Sequence, residues 1–185
     1  DLVLKTDHAY FYVTLDTDYD QDQLQRAAEL LESQILPTNH RFVGTEWTPG
    51  IDNDQRITIL VTDQMPPGIA GYFSSSDEYP VHMHPRSNQR EMIYVTSDYL
   101  TDPDYFGQLL SHELQHMIHW NQDQSESLWV NEGLSLLAEE VVPAPAMDLC
   151  MFFDHARTHG RMRRVVESAN DPTWDLLCER LARHA

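Results

Sequence analysis

Two histidines that flank a glutamate at helical spacing constrain this chain more than any other feature. His112, Glu113 and His116 form the pattern H-E-x-x-H. Residues four apart on an α-helix lie one turn apart on the same face, so both imidazoles can bind a single metal ion. Glu113 lies about 100° round the helix, beside the metal position, where a general base could take a proton from water on the metal. The pattern therefore predicts a zinc site on a helix.

The residues around this motif predict that its helix lies inside a domain. Asp102 and Pro103 are typical of a helix start, and Asp104 adds an acid in the first turn. Apolar residues then recur at helical spacing and on more than one side of the helix: Phe106, Leu109, Leu110, Leu114, Met117 and Ile118. In such a buried helix an unpaired histidine or glutamate would be costly, which favours a functional reason for the motif.

A catalytic zinc site takes three protein ligands and leaves a position for water, so we expect a third ligand further along the chain. Residues 129–135 read W-V-N-E-G-L-S. H-E-x-x-H followed by W-x-N-E-G-L-S resembles the zinc metallopeptidases whose third ligand is a glutamate, the gluzincins. Within that group, residues 111–138 are most similar to bacterial secreted peptidases of the hyicolysin type. The resemblance implies that His112, His116 and Glu132 bind Zn²⁺ and that Glu113 is the general base.

The chain departs from the thermolysin-like pattern at two places. Fifteen residues separate His116 from Glu132, fewer than in thermolysin-like enzymes, which predicts a tight turn between two helices. The pattern N-E-x-x-S-D would place an aspartate after Ser135 to orient the first histidine, and this chain has Leu136 there. The partner that fixes the tautomer of His112 is therefore left open.

Other zinc patterns fit the chain less well. The metzincin extension needs glycine at position 119 and histidine at 122, where this chain has His119 and Gln122. His119 shares a face with His112 but lies about 10 Å away along a straight helix, so we expect a hydrogen-bonded supporting role. If Glu132 is not the third ligand, the residues to consider next are His119, Glu139 and Glu140.

Composition limits the classes of function. Thirty Asp and Glu against twelve Lys and Arg give a formal net charge of −18, which excludes nonspecific nucleic-acid binding as the main activity. The acidic surface could hold Ca²⁺ or be simply solvated. No run of eighteen apolar residues predicts a membrane span. The chain starts at Asp1 without an apolar signal region, and we interpret it as a mature or excised domain with a secreted or extracellular location.

The order of predicted elements indicates an α+β, zincin-like domain at residues 1–142, with a small mixed sheet packed on an active-site helix and a glutamate helix. We expect a strand within residues 2–15, an amphipathic helix through Leu24 to Ile35, strands at 57–61 and 91–96, and an edge strand within 68–74. The acidic residues 16–20 are expected to cap the first helix. Residues 143–185 are predicted to form a short helical tail or lobe, in which Cys150 and Cys178 are two free thiols or one disulfide.

These features together predict a zinc-dependent metalloendopeptidase that acts on a protein or peptide substrate. In enzymes of the type it resembles, an edge strand above the zinc pairs with extended peptide, and residues 71–75 are the candidate here. The group that stabilises the oxyanion is not identified; candidates are a Tyr or His within residues 72–84, or His155 and His159 in the tail. His82 and His84 are ligands of a second metal or loop residues without function. A non-catalytic, zinc-stabilised binding or adhesion domain and a zinc hydrolase with a different substrate are the alternatives, and the oligomeric state is open.

Overall fold

The computed structural model describes residues 1–142 of the chain. The predicted tail at 143–185, with Cys150, Cys178, His155 and His159, lies outside the described residues, so the proposed boundary between domain and tail stays a prediction. Mixed α and β structure, the coarse fold class predicted from sequence, is present: five strands form one sheet and helices pack against it.

The sheet has a parallel centre and two antiparallel edges. In sequence order the strands are β1 Leu2–Lys5, β2 Ala9–Val13, β3 Ile57–Thr62, β4 Gly71–Phe73 and β5 Met92–Thr96. Their order across the sheet is β1-β2-β3-β5-β4. Strands β2, β3 and β5 run parallel, while β1 and β4 pair antiparallel with their neighbours. The sheet is therefore mixed, and β4 lies at an edge as predicted.

The prediction of one strand within residues 2–15 was wrong, because the chain reverses there. β1 and β2 form an antiparallel hairpin, with Leu4 opposite Phe11 and Lys5 opposite Tyr10. The reversal at residues 6–8 is held by Thr6, whose hydroxyl accepts a hydrogen bond from Ala9 N at 3.0 Å. The turn contains no glycine or proline, and the apolar alternation continues on both sides, so the sequence gives little sign of it.

The first helical segment runs from Gln21 to Val43 in three parts. Helix α1 Gln21–Leu30 continues through a π-helical turn, Leu31–Ile35, into helix α2 Leu36–Val43. Pro37 has no backbone N–H for the carbonyl one turn earlier, which accounts for the irregular turn before it. The predicted cap is confirmed: the Asp20 carboxylate accepts hydrogen bonds from Asp22 N at 2.8 Å and Gln23 N at 3.1 Å.

The two helices after the sheet are α3 Pro103–Gln122 and α4 Leu128–Val141. Asp102 caps α3 by accepting a hydrogen bond from Tyr105 N at 3.1 Å, as the sequence predicted. Apolar side chains of α3 are completely buried against the sheet and α1: Phe106, Leu110, Leu114, Met117 and Ile118. A methyl group on Gly107 would lie 2.4 Å from Leu30 Cδ2, so a side chain at this position would require Leu30 to move. The prediction of a buried motif helix is confirmed.

Edge strand β4 lies directly on α3. A methyl group on Gly71 would lie 3.0 Å from both Leu109 Cδ1 and Tyr94 O, and 3.3 Å from Glu113 Cγ. The absence of a side chain at Gly71 therefore lets the strand approach the motif helix closely. None of the helices in the described part of the chain combines the length and the apolar character that crossing a membrane requires.

Candidate metal centre

Helices α3 and α4 are held together by buried polar contacts. Five residues, 123–127, join the two helices, which agrees with the predicted tight turn. The Ser111 hydroxyl donates a hydrogen bond to Ala138 O at 3.0 Å and accepts one from Asn39 Nδ2 at 2.9 Å. Ser111 is completely buried, so these bonds fix α4 against α3 one residue before the first histidine.

His112, His116 and Glu132 converge on one point between these helices. His112 Nε2 and His116 Nε2 lie 3.1 Å apart. The carboxylate oxygens of Glu132 lie 3.7 Å from His112 Nε2 and 3.8 Å from His116 Nε2. Within residues 1–142, these three form the one group of histidine, cysteine and acidic residues compact enough to hold a metal ion. The structure thus brings together the three residues chosen from the sequence.

The other ring nitrogen of each histidine has a hydrogen-bond acceptor. His112 Nδ1 lies 2.7 Å from Glu139 Oε1, and His116 Nδ1 lies 2.9 Å from Asn131 Oδ1. Carboxylate and amide oxygens accept, so each Nδ1 carries the proton and each Nε2 keeps a lone pair facing the other ligands. These bonds fix the orientation of both imidazoles, with each Nε2 directed toward the point shared with Glu132.

Glu139 is the functional residue that the sequence analysis missed in this role. The thermolysin-like pattern places an acid at position 136, where this chain has Leu136, and the sequence suggested Glu139 only as a substitute ligand. It lies seven residues after Glu132, two turns along the same helix face. That spacing was the available signal, but only the packing of α3 on α4 shows that the carboxylate reaches Nδ1 of His112 and not the metal position.

The two histidines differ in their affinity for a proton. Burial opposes protonation of His112, but the hydrogen bond with Glu139 and the charge of nearby carboxylates outweigh it and raise the pKa of His112. Burial lowers the pKa of His116, and the positive charge of His112 adds to that effect. When His112 takes up a second proton and becomes an imidazolium, its Nε2–H can donate to the Nε2 lone pair of His116, which is consistent with their 3.1 Å separation. A divalent cation competes with that proton for the same lone pairs.

Glu113 lies beside the three-residue group and beneath the edge strand. It is 5% exposed and accepts a hydrogen bond from the backbone N–H of Phe73 in β4. Burial raises the pKa of Glu113 to about 7, although the neighbouring His112 and the Phe73 N–H oppose the rise. The carboxyl group is thus poised to exchange a proton near neutral pH, and positive charge at the metal position would hold its pKa lower.

A cleft of about 430 Å³ gives solvent access to these residues. One wall is β4, with Gly71, Tyr72 and Phe73, and the floor is formed by the motif side chains and Glu132. Of the oxyanion candidates within residues 72–84, Tyr72 lines the cleft. Burial raises the pKa of Tyr72, with a contribution from Asp77, so its hydroxyl keeps its proton at neutral pH and can donate it in a hydrogen bond.

The remaining histidine candidates lie apart from the ligand group. His119 is buried one turn further along α3, and its positive charge contributes to the lowered pKa of His116. His82 and His84 are exposed on the loop before β5, where the described residues supply no third ligand close enough for a second metal. Glu140, the last of the substitute ligands, is exposed.

Neither the models of known protein families nor the sequences of curated proteins give a match to this chain.

Proposed function

We propose that residues 1–142 form a zincin-like catalytic domain and that the protein is a zinc-dependent metallopeptidase. The observation that carries this proposal is the convergence of His112, His116 and Glu132 beside a buried carboxyl group, Glu113, at the floor of an open cleft. The three ligand groups come from two helices. Glu139 and Asn131 orient the imidazoles of His112 and His116 through hydrogen bonds to their Nδ1 atoms. This is the arrangement expected of a catalytic metal site.

The donor set and its dimensions fit zinc. Imidazole and carboxylate are common zinc ligands, and tetrahedral bonds of about 2.0–2.1 Å put ligand atoms about 3.3 Å apart. The separations of 3.1, 3.7 and 3.8 Å bracket that value. Three protein ligands that line an open cleft would leave a bound zinc ion a place for water, which favours catalysis over a closed structural site.

The chain supplies the remaining parts of a hydrolytic mechanism. Zinc, when bound, lowers the pKa of water to about 7 and polarises the scissile carbonyl. Glu113 takes the proton of the attacking water and delivers it to the leaving amine. The Tyr72 hydroxyl, in the cleft wall, is the candidate donor to the oxyanion. Glu139 holds His112 in the tautomer that the reaction needs.

A peptide substrate is favoured by the position of β4. Among the described residues, 1–142, this strand has a neighbour on one side only, and it forms the wall of the cleft above Glu113. An exposed strand edge presents backbone groups that can pair with an extended peptide and place its scissile bond over the floor of the cleft. The same cleft could admit another ester or amide, but the strand edge gives a specific reason to prefer peptide.

A non-catalytic domain in which zinc only joins α3 to α4 is the second candidate. The ligands do come from both helices, so metal binding would stabilise their packing. That role gives no reason for a 5% exposed glutamate beside the ligands, because burying a carboxyl group there costs stability. We therefore favour the catalytic role.

Metal analysis of three proteins tests the site. Wild type should purify with, or take up, one zinc ion per chain, and Glu132→Gln should bind zinc more weakly because a neutral amide replaces a carboxylate ligand. Glu140→Gln, the same change on an exposed part of α4, is the control and should bind zinc like wild type. A wild type that takes up no zinc on titration would contradict the proposal, and a Glu132→Gln protein with unchanged affinity would place the third ligand elsewhere.

A further inference from the structure

A second cavity, of about 410 Å³, opens beside the metal cleft. Trp120 lines both cavities, so they are neighbours. Trp120 is four residues after His116 on α3, which places it one turn from a ligand. The short 3₁₀ helix Ser75–Glu78 connects the two from the other side, since Ser75 lines the metal cleft and Glu78 lines the second cavity. A substrate bound at the metal could therefore extend into this space.

Aromatic side chains form much of the wall of the second cavity. Trp47, Tyr79 and Trp120 all line it, and Trp47 is 41% exposed. The Tyr79 ring stands edge-on to Trp120, with 6.4 Å between ring centroids. The faces of indole and phenol rings attract cations, and a planar guanidinium can also stack on them.

Glu78 also lines this cavity, and one oxygen of its carboxyl group has no partner within residues 1–142. It is 7% exposed, and its Oε1 is buried with no hydrogen bond. Within residues 1–142, no lysine, arginine or histidine forms an ion pair with it. Burial together with the negative charges of Glu91 and Asp77 raises the pKa of Glu78 to about 8. Ionisation of this buried acid is costly, so Glu78 keeps its proton at neutral pH in the free protein. A cationic ligand would offset that cost and favour the carboxylate.

The neighbouring Glu91 is enclosed by the protein and is not among the residues that line the cavity. Glu91 is 2% exposed, and its Oε1 accepts a hydrogen bond from Ile51 N at 2.9 Å. A methyl group on Gly50 would lie 1.9 Å from Glu91 Oε2, so the loop backbone covers this carboxylate. The charge of Glu91 contributes to the raised pKa of Glu78.

We propose that this cavity, which we call the cation pocket (Trp47, Glu78, Tyr79 and Trp120), binds an arginine side chain of the peptide substrate. Arginine is preferred to lysine because its guanidinium can stack on an indole while it donates two hydrogen bonds to a carboxylate. The net charge of −18 also attracts basic peptides to the protein as a whole. This inference rests on the proposed peptidase function and adds a substrate class to it.

Cleavage of matched peptides tests the cation pocket. Peptides that differ only by arginine, citrulline or phenylalanine are scanned at each position on both sides of the scissile bond. Citrulline keeps the shape of arginine and removes its charge. Wild type should show a kcat/KM at least about tenfold higher for arginine than for citrulline at one position. Glu78→Gln should bring that ratio close to one, while Glu29→Gln, an equivalent change on the exposed face of α1, should leave it as in wild type.

Three results would overturn the inference. The first is no preference for arginine over citrulline at any position. The second is a preference for phenylalanine over arginine at the position where arginine is preferred to citrulline, and the third is an arginine-to-citrulline ratio of kcat/KM that is unchanged in Glu78→Gln. Binding of blocked arginine amide and blocked citrulline amide, followed by tryptophan fluorescence, to which Trp47 and Trp120 contribute, gives a readout that needs no catalysis. If wild type cleaves no peptide, the proposed function fails, and the binding experiment alone decides the inference. Wild type should then bind the arginine compound more tightly than the citrulline compound, Glu78→Gln should lose that difference, and equal binding by wild type overturns the proposal.

Discussion

Glu139 gives the sharpest test of how the metal site is oriented, because it contacts a ligand and not the metal position. Its Oε1 lies 2.7 Å from His112 Nδ1, and the two side chains are only 16% and 17% exposed. Glu139→Gln keeps the side-chain volume and one acceptor oxygen but removes the negative charge. Glu139→Ala removes the acceptor as well. Both changes leave His112, His116 and Glu132 in the chain.

The size of the expected effect follows from the hydrogen bond that is lost. Hydrogen bonds to charged groups are worth about 1.5–3 kcal/mol, and partners of metal-bound histidines typically contribute about 10–100-fold in metal affinity. We expect Glu139→Gln to raise the Kd for zinc about tenfold, since a neutral acceptor remains. Glu139→Ala should approach about 100-fold, because His112 then lacks a fixed tautomer and orientation.

Competition with a fluorescent zinc chelator at neutral pH measures these constants. Glu140→Gln is the matched control, one residue along the same helix but exposed, and it should keep the wild-type Kd. Equal zinc affinity in wild type, Glu139→Gln and Glu139→Ala would refute the role given to Glu139. An equal loss in Glu140→Gln would show that the effect comes from the net charge of the helix.

Two further predictions concern stability. The pKa of Glu78 is raised from 4.5 to about 8 in the folded protein, so its deprotonation destabilises the fold progressively as pH rises from about 4.5 to 8. The unfolding free energy of Glu78→Gln should therefore equal that of wild type near pH 4.5 and exceed it by about 2 kcal/mol near pH 8, a value reduced to allow for solvent at the cavity wall. Denaturant unfolding at several pH values measures this difference. A difference that does not change with pH would contradict the prediction. Leu114 is completely buried on α3, so Leu114→Ala should lose about 2–5 kcal/mol of unfolding free energy, whereas a loss below about 1 kcal/mol would mean that this side of the helix is not packed as described.

The elements that could be predicted are those whose signal is local and periodic. The spacing of His112 and His116, the cap at Asp102 and the apolar residues of α3 all act within one helix, so the sequence predicts them directly. The β3 and β5 strands are short apolar runs between turn residues, and they appear where expected. Glu132 required the resemblance, because nothing local links it to the histidines.

The features that were missed depend on contacts between distant parts of the chain. Glu139 reaches His112 only because Ser111 and neighbouring residues fix α4 against α3. Residues 77–89 are mostly polar and contain turn-forming residues, yet Glu78 is buried there. Composition predicts an exposed acid at such a position, and only the packing of the loop shows otherwise. The hairpin at Thr6 was missed because its turn lacks the residues that usually mark one.

The central claim, that this site performs metal-dependent peptide hydrolysis, is tested most directly by Glu113→Gln. The change keeps the shape of the side chain and all three ligands, and it removes the group that accepts the proton. Zinc content and cleavage of an unstructured protein are measured for wild type and variant together. The account predicts one zinc per chain in both proteins and cleavage by Glu113→Gln at least about 10²-fold slower than by wild type. Equal rates of cleavage in the two zinc-loaded proteins, or no cleavage by zinc-loaded wild type, would contradict it.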